Sequence, residues 1–152
     1  MILISHRGNI AGRIPELENQ PEYIQDAIAL GYDVEIDVRM KEGELYLGHD
    51  YPQYRIQLEW LLERRDSLWI HTKDFESLNF LIGKDLRIFF HEQERQTIIN
   101  NTNLIWSHDL ASTSSRSIIP LLSLEDIIKH NLLCKEVHGV CSDYLHKIED
   151  LL

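Results

Sequence analysis

Basic residues nowhere cluster in this chain, and Asp and Glu outnumber Lys and Arg by 25 to 15. A surface that tracks a phosphate backbone needs the opposite balance, so nucleic-acid binding is disfavoured. Long apolar runs are also missing. No segment approaches the length of a membrane span, and the opening MILISHRG has neither the charged start nor the sustained apolar stretch of a signal peptide, so a cytoplasmic protein with no membrane span is expected. Cysteine is scarce. Cys134 and Cys141 lack the spacing of a CxxC metal or redox pair, and the reading is two unpaired small apolar residues rather than a disulfide. Low-complexity blocks, Gly/Ser linkers and a fixed internal period are absent too, which leaves residues 1–152 as a single domain with a real core.

What the chain does contain is an alternation of short runs rich in Ile, Leu, Val and aromatics with helix-like stretches. Strands are expected at Ile2 to Ser5, Asp33 to Val38, Leu68 to His71, Arg87 to His91, Leu104 to Ser107, Ser117 to Leu121 and Val137 to Ser142. Helices are expected at Pro21 to Leu30, Leu58 to Arg65, Phe75 to Ile82 and Leu124 to Leu132. The first has Pro in its opening turn, an apolar stripe of Tyr23, Ile24, Ala27 and Ile28, and Gly31 to close it. Ser123 suits the N-cap of the last, and Gly43 suits the turn of an extra hairpin in MKEGELYLGHD. Repeated strand then helix implies an α/β fold with parallel strands and right-handed crossovers.

In such folds ligands bind at the carboxyl ends of the strands. Polar residues collect there: Ser5, His6 and Arg7; Glu35 and Asp37; His71 and Lys73; His91 and Glu92; Ser107, His108 and Asp109; Ser142 and Asp143. In VEIDVRM, strand alternation puts Glu35 and Asp37 on one face and Val34, Ile36 and Val38 on the other. Two buried carboxylates side by side require a cation, either a divalent metal with oxygen ligands or an ion pair with Arg39 or Arg7. In LYLGHD, Asp50 is placed to orient His49, although an HD after a hairpin also serves as a plain turn. His6, His49 and a metal together meet the needs of phosphodiester cleavage: a base, an acid and a charge to neutralise a phosphoryl oxygen.

These pieces resemble the glycerophosphodiester phosphodiesterases, within the superfamily of phosphatidylinositol-specific phospholipase C-like enzymes. The resemblance lies in HRG at His6 to Gly8, LEN at Leu17 to Asn19, GYDVEIDV at Gly31 to Val38, KEGELYLGHD at Lys41 to Asp50 and, more loosely, HGVCSDY at His138 to Tyr144. It implies that His6 and His49 are the acid/base pair, that Glu35 and Asp37 bind Mg²⁺ or Ca²⁺, and that Arg7, Lys73 and Asn19 contact substrate. Where the family has a further acidic metal ligand two residues before the lysine, WIHTK has His71. Imidazole there favours Mn²⁺ or Zn²⁺, or else His71 points inward without ligating. The implied fold is a (β/α) TIM-type barrel, which usually takes at least about 200 residues. A chain this short is expected to form a small or irregular barrel, incomplete at about seven strands. Its open edges call for a loop, a tail or a second copy of the chain as a homodimer.

The expected function is a metal-dependent phosphoric diester hydrolase acting on a small-molecule or polymeric diester. The alternative is a noncatalytic phosphodiester- or sugar-phosphate-binding module on the same scaffold. A third reading is an unrelated α/β protein with coincidentally polar strand ends.

Overall fold

The computed structural model describes residues 1–131, 134 and 136–152. Its strands are β1 (Ile2–His6), β2 (Asp33–Lys41), β3 (Glu44–Leu47), β4 (Tyr54–Ile56), β5 (Leu68–Thr72), β6 (Ile88–Phe89), β7 (Gln96–Ile98), β8 (Ile105–Ser107), β9 (Ser117–Pro120) and β10 (Gly139–Ser142). The helices among the described residues are α1 (Pro21–Ala29), α2 (Leu58–Glu63), α3 (Phe75–Leu81), α4 (Leu124–His130) and α5 (Leu145–Glu149). The segments expected as strands overlap β1, β2, β5, β6, β8, β9 and β10, with β1, β2 and β5 running on past them, and those expected as helices hold α1 to α4. Leu132, the expected end of the last, lies outside the described residues.

All ten strands belong to one mixed sheet. Parallel pairs link β6, β5, β2, β1, β10, β9 and β8 in that order. β3 and β4 extend β2 as antiparallel strands, and β7 lies antiparallel to β8. The sheet curls into a half-barrel, so the parallel TIM-type barrel of about seven strands expected from the sequence is not the fold.

The reason lies in residues 90 to 116. HEQERQTIINNTN, His91 to Asn103, has a single apolar pair, Ile98 and Ile99, and no stripe at helical spacing. The chain therefore returns as a hairpin: Asn101 adopts a left-handed φ of 61°, and the Ile99 amide donates to the Leu104 carbonyl at 3.1 Å. From His108 to Arg116 the sequence is short and mostly polar, and it joins β8 to β9 without a helix. At the other end of the sheet the expected hairpin forms. Glu42 and Gly43 have φ of 52° and 79°, the pair of positive values that a tight two-residue turn demands, and β4 adds a third strand.

Two apolar layers follow from strand alternation. On the outer face Val34, Ile36 and Val38, all fully buried, pack with Ile24 and Ala27 of α1, Leu61 of α2 and Leu81 of α3. Each Val, Ile or Leu side chain among them contributes about 1.5–3 kcal/mol by burial. On the inner face Ile4, Trp69, Phe89, Trp106, Ile118 and Cys141 form an apolar floor. Two residues further along the same chain segments come His6, His71, His91, His108, Pro120 and Asp143. Polar groups thus stand directly above a dry floor, where water cannot screen them from below.

Side-chain caps start two helices: Asp74 accepts from the Ser77 amide at 2.7 Å, and Ser123 from the Asp126 amide at 3.1 Å. Cys134 and Cys141 are free and buried. No helix among the described residues is long and apolar enough to cross a membrane.

Candidate active site

Glu35 and Asp37 share the inner face of β2, and register places Asp37 beside His71 of β5. The three side chains are buried, and one ligand atom from each lies within 4.8 Å of the others. Most of the remaining polar contacts serve to hold Asp37. The Arg7 Nε sits 2.8 Å from Asp37 Oδ2, but its N–H is not aimed at that oxygen, so the contact is chiefly an ion pair. Asn19 donates from Nδ2 to Asp37 Oδ2 at 2.9 Å, and its Oδ1 accepts the Asp37 amide at 3.0 Å. Glu18 in turn accepts from Arg7 at 3.1 Å, from Asn9 at 3.1 Å and from Arg13 at 2.9 Å. Arg7 and Asn19 both have positive φ, 57° and 63°. That costs a non-glycine residue stability, and here it is offset by the network the two side chains make.

The ion pair considered between the carboxylates and Arg39 does not form, because Arg39 donates to the carbonyls of Gly48 and His49. The pair with Arg7 does form, at Asp37. Even so, Glu35 Oε2, Asp37 Oδ1 and His71 Nε2 remain buried without a hydrogen-bond partner. His71 Nδ1 stands 3.5 Å from Asp37 Oδ1 and 3.9 Å from Glu35 Oε1, too far or too poorly aligned to satisfy either. Buried polar atoms are normally paired, and orphans at one spot are what a cation would satisfy. Two carboxylates and an imidazole fit Mn²⁺ well and Mg²⁺ or Ca²⁺ less completely.

Charge separates the two acids. Burial, and then the neighbouring charge of Asp37, push the Glu35 carboxyl up to about 7, against the pull of His6, Arg7 and Lys73. Burial works the same way on Asp37, but His71, Arg7 and Asn19 outweigh it and hold that carboxyl well below the usual range. Burial, helped by Lys73 and opposed by Asp37, lowers the His71 pKa, which favours the neutral ring, the form in which imidazole binds metals.

His6 is oriented from the far end of the chain. Its Nδ1 donates to Asp143 Oδ1 at 2.8 Å, which leaves Nε2 facing Glu35 at 3.9 Å. The same Asp143 oxygen accepts from Asn9 at 2.7 Å. Burial disfavours the imidazolium, but Asp143 and Glu35 more than compensate, and the His6 pKa is raised. His49 follows the same pattern at the rim, its Nδ1 donating to Asp50 at 2.7 Å. Gly48 with φ of 149° brings the backbone there past the Tyr51 carbonyl, in a space where a Cβ would lie 2.1 Å from that oxygen.

A cavity of about 230 Å³ is lined by His6, Arg7, Glu35, His49, His71 and Lys73, with Trp106, Pro120 and Leu122 opposite. A hollow of about 380 Å³ adjoins it, sharing Arg7 and His49 and adding Asn19, Arg13 and Tyr51. The sequence-derived candidates thus converge on one place. Asn19 and Arg7, both expected to contact substrate, are engaged by Asp37, and Arg7 by Glu18 as well. Asp143, Asn9 and Glu18 were not among the candidates. Asp143 was visible as a polar strand end, and Asn9 and Glu18 lie within or beside the HRG and LEN motifs. Set against family models, curated proteins and solved structures, the chain has no match.

Proposed function

We propose that this chain is a divalent-metal-dependent phosphoric diester hydrolase for glycerophosphodiester-like substrates. The observation that carries this reading is the shared cavity. Two imidazoles, each tied through Nδ1 to a carboxylate, open onto the same space as Glu35 and His71, which with Asp37 behind them form a buried carboxylate, carboxylate and imidazole set with orphaned donor atoms. Resemblance to the glycerophosphodiester phosphodiesterases supports it over the same residues.

Glu35, Asp37 and His71 would hold the ion, which when bound supplies positive charge to a phosphoryl oxygen. Because Asp143 and Asp50 each accept a hydrogen bond from an Nδ1–H, the Nε2 atoms of His6 and His49 are left for proton transfer. A substrate hydroxyl next to the phosphate attacks phosphorus, and its proton passes to one imidazole. The bond from phosphorus to the leaving oxygen breaks, and that oxygen takes a proton from the other imidazole. The products are a cyclic phosphodiester and an alcohol, and water opens the cycle by the reverse proton traffic. Arg7 and Lys73 line the cavity and place positive charge beside the phosphate oxygens. The floor beneath excludes water and strengthens each of these interactions.

The test is release of nitrophenol from a p-nitrophenyl ester of glycerol phosphate, after chelation and re-addition of Mg²⁺, Ca²⁺ or Mn²⁺. Turnover should require metal and fall by about 10²–10⁴-fold in His6→Ala or His49→Ala. Equal turnover in the double variant would refute the reading. Stabilisation by glycerol phosphate with no turnover under any metal would mark a binding module instead.

A further inference from the structure

His91 and His108 belong to neither the acid/base pair nor the carboxylate set, yet both line the same cavity. His91 stands just past β6 and His108 just past β8, each two residues beyond an aromatic of the inner floor, Phe89 and Trp106. Their rings meet edge to face at 63°, and their Nε2 atoms are 3.3 Å apart. Among the described residues neither Nε2 makes a hydrogen bond to any other side chain. An N–H···N bond of that length is long. Two nitrogens bound to one tetrahedral ion at about 2.0–2.1 Å, however, stand about 3.3–3.4 Å apart.

We propose that His91 and His108 form a second cation site, one that takes Zn²⁺ or a similar nitrogen-preferring ion. Donor chemistry separates it from its neighbour: Glu35, Asp37 and His71 are dominated by hard oxygen, whereas this pair is all imidazole. The His71 ring stacks on His91 with centroids 4.4 Å apart and planes 16° from parallel, which sets the two donor groups side by side. The backbone holds His108, whose amide donates to the Arg95 carbonyl at 2.7 Å. With two protein ligands, the other coordination positions face the cavity and are open to water or to an oxygen of a bound anion. If the proposed function holds, a phosphate in the cavity would meet two neighbouring cations, the carboxylate-bound ion and the imidazole-bound one.

The test uses the full chain stripped by chelator, titrated with Zn²⁺ by calorimetry and with Co²⁺ by visible absorption. The wild type should bind two Zn²⁺ per chain. His91→Ala/His108→Ala should bind one and lose the strong absorption of tetrahedral Co²⁺. Glu35→Gln/Asp37→Asn should also bind one while keeping that absorption. Circular dichroism identifies any variant that is unfolded, and His91→Asn/His108→Asn repeats the measurement with side chains of closer size. The same stoichiometry and Co²⁺ spectrum in the wild type and both histidine variants would overturn the site. No substrate is present, so the count is decided separately from hydrolysis.

Discussion

Glu35 permits a quantitative test, because its carboxyl is raised from 4.5 to about 7 by burial and by Asp37. In the metal-free protein the folded state holds the Glu35 proton more tightly than the unfolded chain does. Stability from this residue is therefore complete below pH 4.5 and is lost as pH rises through about 7. At about 1.4 kcal/mol per pH decade, the ionised carboxylate costs the fold about 3 kcal/mol by pH 8. Glu35→Gln keeps the shape and removes the titration. Denaturant unfolding in chelator should show the wild type losing about 3 kcal/mol relative to the variant between pH 4.5 and pH 8. For a domain of this size that is a midpoint difference of roughly 6–12 °C. Mn²⁺ at pH 8 should return the loss to the wild type and do little for the variant. Parallel pH curves for the two proteins would show that Glu35 does not sit in a repulsive, desolvated place, and the argument for a cation would fail with it.

Three further outcomes are expected. Asp37→Ala leaves the buried Arg7 guanidinium with Glu18 as its remaining carboxylate and strands the Asn19 amide, and should cost about 1–3 kcal/mol in the same unfolding assay. Gly8→Ala puts a Cβ 2.4 Å from the Tyr23 ring at a φ of +99°, and should lower stability by about 2 kcal/mol while displacing the chain that carries Arg7. Asp143→Asn removes the negative charge beside His6 Nδ1 that helps raise the His6 pKa against burial, so the NMR titration midpoint of the His6 ring should fall. An unchanged midpoint would mean that Asp143 does not orient that imidazole.

Local signals in the sequence were strong wherever one interaction dominated. The two-residue period of Val34 to Val38 was readable because an apolar layer lies on one side and carboxylates on the other. Pro21, with the spacing of Ile24 and Ala27, marked α1 for the same reason. β4 and β7 escaped notice because YRI and QTI are three-residue strands whose pairing comes from an antiparallel neighbour rather than from their own pattern. α5 is a single short turn made stable by burying Leu145 and Ile148. The barrel expectation rests on the family resemblance, and through residues 90 to 116 no helical stripe exists to support it. For the site, residue types with one dominant use were legible, such as His6, Glu35 and Asp37. Asp143 was seen only as one polar strand end among several. Its role depends on β10 lying next to β1, a long-range pairing that no local pattern encodes.

That pairing has a consequence for how the molecule is made. The His6 imidazole and the Asp143 carboxylate are 137 positions apart in the chain, yet they meet at 2.8 Å. During synthesis His6 emerges early and waits, its partner still unmade, while nearly all of the intervening polypeptide is added. No early fragment of this polypeptide holds the dyad. Its appearance, followed by the His6 ring signal, would report that β10 has docked against β1.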